Sequence, residues 1–173
     1  MTSKDEGTAS HIRWYALHVR SRHERAVENS LTGKGYSVLF PFYRTKRKRI
    51  DRIVEIEQPL FPGYIFCNLD ARERLPLLKT PGVVAMVGTA RQPEPVEDHE
   101  IASIQAFVRS GRPLQPWPFL RTGQRIRIEA GPLAGAEGIF LRSKNECRLI
   151  ASITLLQRSV AVEIEQDSVT PLF

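Results

Sequence analysis

Apolar and polar positions alternate from the first strongly patterned stretch of the chain. Over residues 13–19, Trp14, Ala16 and His18 fall on one face and Tyr15, Leu17 and Val19 on the other, which predicts a strand. Ser21 followed by Glu24 has the spacing of a capping box. Val27 and Leu31 supply the stripe of a short helix that Gly33 or Gly35 ends. Residues 36–43 read as a second strand and 44–52 as a basic hairpin tip. Residues 53–58 read as the returning strand, with Glu55 and Glu57 on one side. A further strand begins after Pro62-Gly63. Its Tyr64, Phe66 and Asn68 share one face, and Ile65, Cys67 and Leu69 the other. Leu75, Leu77 and Leu78 predict a short helix with Pro76 in its first turn, where the missing donor is harmless. Pro81-Gly82 marks a turn, 83–87 a buried strand, and Asp98 the cap of a third helix. The inner face of that helix is Ile101, Ile104, Phe107 and Val108. The order β-α-β-β-β-α-β-α predicts an α+β domain over residues 11–110, an antiparallel sheet flanked by helices.

The pattern changes after residue 110. Residues 111–118 carry three prolines and read as a short, extended linker. Beyond it, Ile126/Ile128, Ile139/Leu141, residues 149–155 and residues 160–164 form short strand patterns between glycine-rich and polar turns. So few residues are best accommodated by a small all-β barrel over 119–173. Residues 1–10 are polar and predict a disordered tail.

One stretch departs from ordinary strand design. Residues 59–68 place Phe61, Tyr64 and Phe66 around a Pro-Gly turn and on one face of the strand that follows. If the opposite face serves the core, these rings point outward, where an aromatic patch of this size calls for a partner. A strand covered by helices on both faces is the alternative, and periodicity alone does not separate the two.

Composition narrows the classes. The chain has 173 residues, 42% hydrophobic, with a formal charge of +6. That allows one medium domain or two small ones and favours polyanionic partners. Most of the excess lies in the first part: residues 1–110 hold 17 Lys+Arg against 13 Asp+Glu, and residues 119–173 hold 7 against 6. Two cysteines in separate strand patterns read as free thiols. No long apolar run predicts a membrane span, and a cytoplasmic, monomeric protein is expected. Four histidines without partners at ligand spacing, and a glycine-rich 131–138 stretch without a following Lys-Ser/Thr, predict no metal, no cofactor and no enzyme activity.

Several segments together resemble the NusG family of transcription elongation factors. They are Trp14-Tyr15-Ala16, residues 59–66 (Pro-Leu-Phe-Pro-Gly-Tyr-Ile-Phe) and residues 80–84 (Thr-Pro-Gly-Val-Val). Residues 123–128 (Gly-Gln-Arg-Ile-Arg-Ile), followed by 131–138, are similar to the family's KOW module, a small SH3-like barrel. The resemblance implies an N-terminal domain that docks on the clamp helices of RNA polymerase and a barrel that recruits a second factor. It places Phe61, Tyr64 and Phe66 at the docking positions, with Trp14 and His18 on the neighbouring strand. Aromatic rings suit that role because they bury much area with few rotors to freeze.

The barrel segment Leu156-Gln-Arg-Ser-Val-Ala-Val-Glu163 keeps Arg158 and Glu163 of the family's usual pattern but lacks its aromatic, glycine and Thr-Pro pair. The usual recruited partners, Rho or a ribosomal protein, are therefore open. Leu155, Leu156 and Arg158 are the candidate recruitment residues. The 60–66 run is closer to the specialised paralogues related to RfaH, so an operon-specific antiterminator is expected ahead of the general elongation and termination factor. Refolding of the barrel to a helical hairpin, known in that subfamily, is disfavoured by Gly131, Pro132, Gly135, Gly138 and the β-branched strands.

Nucleic acid is the second expected partner. Arg44, Lys46, Arg47, Lys48, Arg49 and Arg52 crowd the hairpin and suit phosphate of upstream DNA or nascent RNA. Arg20, Arg22, His23 and Arg25 surround the start of the first helix, the edge that in the family faces the non-template DNA strand. A ribosome-associated RNA-binding protein acting through the barrel is the competing class. It would put the positive charge in the barrel, where little is found.

Overall fold

The computed structural model describes residues 11–89, 91–165 and 169–172. The expected tail 1–10 lies outside the described residues. The first part of the chain runs β1 (Ile12–Val19), α1 (Glu24–Gly33), β2 (Ser37–Leu39), β3 (Phe42–Lys48), β4 (Ile53–Pro59), β5 (Tyr64–Asp70), α2 (Leu75–Leu78), β6 (Val83–Met86) and α3 (Asp98–Arg109). The second part is all β: β7 (Leu114–Trp117), β8 (Gln124–Ile128), β9 (Glu137–Ser143), β10 (Glu146–Ile153), β11 (Arg158–Ile164) and β12 (Val169–Pro171).

The first sheet has the order β2-β5-β1-β6, with Trp14 opposite Asn68, Ala16 opposite Phe66 and His18 opposite Tyr64. The period-two reading sorts its side chains correctly. Tyr15, Leu17, Val19, Ile65, Cys67 and Leu69 pack with Val27 and Leu31 of α1 and Leu77 of α2 in one core. Pro76 sits at the start of α2, as its missing N–H requires.

The strand expected over 36–43 divides at Pro41, which cannot donate to a ladder, into β2 and β3. β3 then continues through Lys48 as a two-stranded ribbon with β4, so Arg44, Lys46, Arg47 and Lys48 are strand residues. The tip itself is confined to 49–52. Cross-strand facing of Arg44 with Glu57 and Lys46 with Glu55 favours the longer ribbon.

The expected capping box is absent. His23 precedes α1, and no side chain caps it. Arg22 holds a left-handed backbone (φ 65°) that tightens the turn into the helix. Glu24, 7% exposed, accepts instead from the Gly63 N–H at 3.1 Å. Its carboxylate thereby ties the start of α1 to the Pro-Gly turn before β5. In α3, Ile101, Ile104 and Phe107 are buried as expected, but Val108 is 44% exposed. The burying stripe follows positions 101, 104 and 107, and 108 rotates off it.

The second sheet has the antiparallel order β12-β8-β9-β10-β11-β7. Part of the stretch expected as linker is its edge strand: β7 pairs with β11, Leu114 opposite Val162 and Trp117 opposite Ser159. Gly138 is required by close approach: a Cβ there would collide with the Ile150 carbonyl oxygen on the neighbouring strand.

Candidate functional site

The aromatic face of the first sheet is enclosed. Phe61 and Phe66 are both 0% exposed and meet edge to face, with ring centroids 5.3 Å apart. They belong to one continuous core with Ala16, with Ile101, Ile104 and Phe107 of α3, and with β-domain residues including Ile126, Leu149, Val160 and Val162. The expectation that these rings point to solvent is corrected. The physical reason is that α3 and the β domain supply enough apolar surface to cover the second face of the sheet. Trp14 and Tyr64 are half-buried at the edge of this core, and His18 is exposed. The His18 ring lies 5.4 Å from that of Tyr64, so an accessible aromatic margin remains beside the sealed pair.

Among the described residues, three polar contacts join the first part to the second. Glu100, on α3 beside the apolar stripe, accepts from both the N–H and the hydroxyl of Thr154, at 3.1 Å and 2.5 Å. Ser103 Oγ accepts from the Glu137 N–H at 2.9 Å and donates to the His99 carbonyl at 2.8 Å. The Arg158 guanidinium stands over the Tyr64 ring, 5.3 Å from its centroid. A cavity of about 100 Å³ lies along this seam, lined by Glu100, Ser103, Glu137, Ser152 and Thr154 among others. Sequence reasoning missed Glu100 and Ser103. A carboxylate adjoining the 101/104/107 stripe was the available signal, since a buried charge needs a partner.

The recruitment candidates lie at the same place. Leu155 and Leu156 are half-buried in the turn that follows Thr154 and pack against the shared core. Residues predicted for two different partners, Tyr64 on one side and Leu155, Leu156 and Arg158 on the other, therefore face each other within one molecule.

The basic residues divide into committed and uncommitted groups. Arg25 bonds Glu28 at 2.8 Å and Glu57 at 3.1 Å, and lies over the rings of Phe40 and Phe42, 5.1 and 4.8 Å from their centroids. Glu57 also pairs with Arg44 at 3.6 Å. Arg20, Arg22 and His23 are exposed at the turn before α1. Arg47, Lys48, Arg49 and Arg52 are exposed at the far end of the ribbon, and among the described residues none has a carboxylate within 4.0 Å. Burial pushes the Cys67 thiol up to about 12, which keeps it protonated and inert. Among the described residues no cluster of three or more His, Cys, Asp or Glu is placed to hold a metal ion.

The family described as "Transcription termination factor nusG" matches residues 12–105, more than half of the chain, and the chain belongs to that family. It is 28% identical to the transcription termination/antitermination protein NusG of Pseudomonas aeruginosa, over 91% of this chain and 97% of that one. The NusG proteins of Borreliella burgdorferi and Staphylococcus epidermidis are 24% and 25% identical, covering 88% and 92% of this chain and 94% and 96% of theirs. A solved structure titled "Domain interaction in Thermotoga maritima NusG" overlaps 94% of this chain and 98% of that one, at 20% identity and a TM-score of 0.48. No helix among the described residues is long and apolar enough to cross a membrane.

Proposed function

We propose that this protein is a cytoplasmic transcription elongation factor that docks on the clamp helices of RNA polymerase through the aromatic face of its first sheet. Its β domain recruits a second factor through Leu155, Leu156 and Arg158. The observation that carries the reading is the family match, which spans the sheet and the aromatic segment of β5. The contact of Arg158 with Tyr64 adds a consequence: in this arrangement each candidate face covers the other. His18 and the free edge of Tyr64 are reachable at once, whereas engagement of Phe61 and Phe66 requires the β domain to move aside. Polymerase and the recruited factor then favour the same open arrangement, because each gains access to a face that the closed one hides.

The test is recovery of core RNA polymerase by tagged full-length protein. His18→Ala is expected to lower recovery with unchanged thermal melting, Tyr64→Ala to lower recovery, and Arg158→Ala to raise it. Equal recovery by all three would remove the docking assignment.

The relatives carry the general name, which supports a general factor at least as well as an operon-specific one. The operon-specific reading rests on the 60–66 run, Leu-Phe-Pro-Gly-Tyr-Ile-Phe, which resembles the specialised paralogues, while the absence of the usual aromatic, glycine and Thr-Pro pair from 156–163 leaves the recruited partner open. In vitro transcription on templates with and without a candidate leader element separates the two. Equal effects on both templates support the general factor.

A further inference from the structure

The β3–β4 ribbon changes character along its length. At its base, charge is balanced: Glu57 lies opposite Arg44 within ion-pair distance, and Glu55 lies opposite Lys46. Beyond that point carboxylates give way to aliphatics. Arg47 faces Val54 and Lys48 faces Ile53, and the turn 49–52 is Arg-Ile-Asp-Arg, closed by the Arg49 N–H on the Arg52 carbonyl at 2.8 Å. Ile50 at the apex is fully exposed and Ile53 is 69% exposed. No other large aliphatic among the described residues is as exposed as Ile50, and it stands amid four cations without ion-pair partners.

A solvated charge cluster needs no isoleucine at its summit. Repulsion among the cations is relieved by phosphate, and the charge pattern confines that relief to the ribbon's end. Asp51, next to Ile50, opposes a phosphate at the apex itself. The apex therefore suits bases and the flanking cations suit the backbone. A two-stranded ribbon fits a nucleic-acid groove, and an aliphatic at its tip can part a base step while the cations hold both flanking strands. The strand from Phe42 to Lys48 gives the ribbon a reach of about 20 Å, enough to carry the tip clear of the body.

We propose that the ribbon tip is a DNA wedge, in which Ile50 inserts at a deformable base step while Arg47, Lys48, Arg49 and Arg52 hold the adjoining phosphates. The inference rests on the reading that this hairpin meets nucleic acid and adds the residue and the deformation.

The experiment uses full-length protein, a short duplex carrying 2-aminopurine at a central TA step, and, as a separate arm, phosphatidylserine vesicles. Wild type is expected to bind the duplex with a log–log salt slope of about 0.9 per phosphate contact and to raise 2-aminopurine emission at least about twofold as the step unstacks. Ile50→Ala is expected to keep the salt slope and lose at least about half of the emission rise. The triple replacement of Arg47, Lys48 and Arg49 by Ala is expected to lose binding. An undiminished rise with Ile50→Ala, or tight wild-type binding with no rise, would overturn the wedge and leave the phosphate reading standing. Failure of wild type to bind the duplex at low salt would overturn both, and Ile50-dependent binding to vesicles in that case would reassign the tip to an anionic lipid surface.

Discussion

Replacement of Glu100 by Ala removes a charged acceptor from the seam between the sheet-and-helix part and the β domain. The carboxylate is 8% exposed and takes two hydrogen bonds from Thr154, one from the main chain and one from the hydroxyl. Hydrogen bonds to a charged group contribute roughly 1.5–3 kcal/mol each, and the second adds less than the first because the same desolvation serves both. The expected loss is therefore about 2–4 kcal/mol. For a chain of this size, about 2–4 °C per kcal/mol converts that to roughly 4–16 °C if melting is a single transition. If the β domain detaches first, the loss appears as an earlier, separate transition. Circular dichroism and calorimetry on Glu100→Ala, Thr154→Val and the double variant read both cases. Thr154→Val removes only the hydroxyl bond, so the cycle isolates that bond, and a coupling of about 1–2 kcal/mol is expected. Melting of Glu100→Ala within about 0.5 kcal/mol of wild type would show that the latch contributes nothing and refute the reasoning, and full additivity in the cycle would show that the hydroxyl bond adds nothing to it.

Other expectations follow from particular side chains. Gly138→Ala drives a Cβ against the Ile150 carbonyl, and overpacking of about 1–3 kcal/mol should lower the melting temperature; unchanged melting would contradict the close approach. Cys67 is buried with its pKa raised to about 12, so at pH 8 a thiol reagent should modify Cys147 and spare Cys67 until the protein unfolds. Because that thiol titrates higher folded than unfolded, its effect on stability is nil below about pH 8.5 and negative from there towards 12. Rapid double labelling at pH 8 would contradict this. Alanine at Arg47, Lys48 and Arg49 should flatten the salt dependence of binding to an elongation complex, by about 0.9 in log–log slope for each duplex phosphate no longer neutralised. An unaltered slope would make the tip a bystander.

Much of the fold was legible because period-two alternation reports which residues share a face. It sorted β1 and β5 correctly, and the division of the chain into an α+β part and an all-β part followed from the change of pattern near residue 110. What alternation cannot report is what lies across from a face. Phe66 reads the same whether it meets solvent, a partner or the chain's own β domain, so its enclosure was legible only in three dimensions. Ser21 and Glu24 had the spacing of a cap, but the left-handed turn at Arg22 and the unpaired N–H of Gly63 drew the glutamate elsewhere. Local motifs lose to a tertiary partner when the partner's group would otherwise be buried without a bond. The hairpin was legible as basic, yet only the register showed that its base is neutralised and its tip is not.

The most direct test of the central account is the affinity of full-length protein for core RNA polymerase, measured by titration for wild type, Glu100→Ala and Arg158→Ala. If the β domain shields the docking face, the apparent affinity is reduced by the fraction of molecules that are closed, and about 2 kcal/mol of unlatching should tighten binding by up to about 30-fold. Equal or weaker binding by both variants, with their folds intact, would contradict the claim that the two faces cover one another.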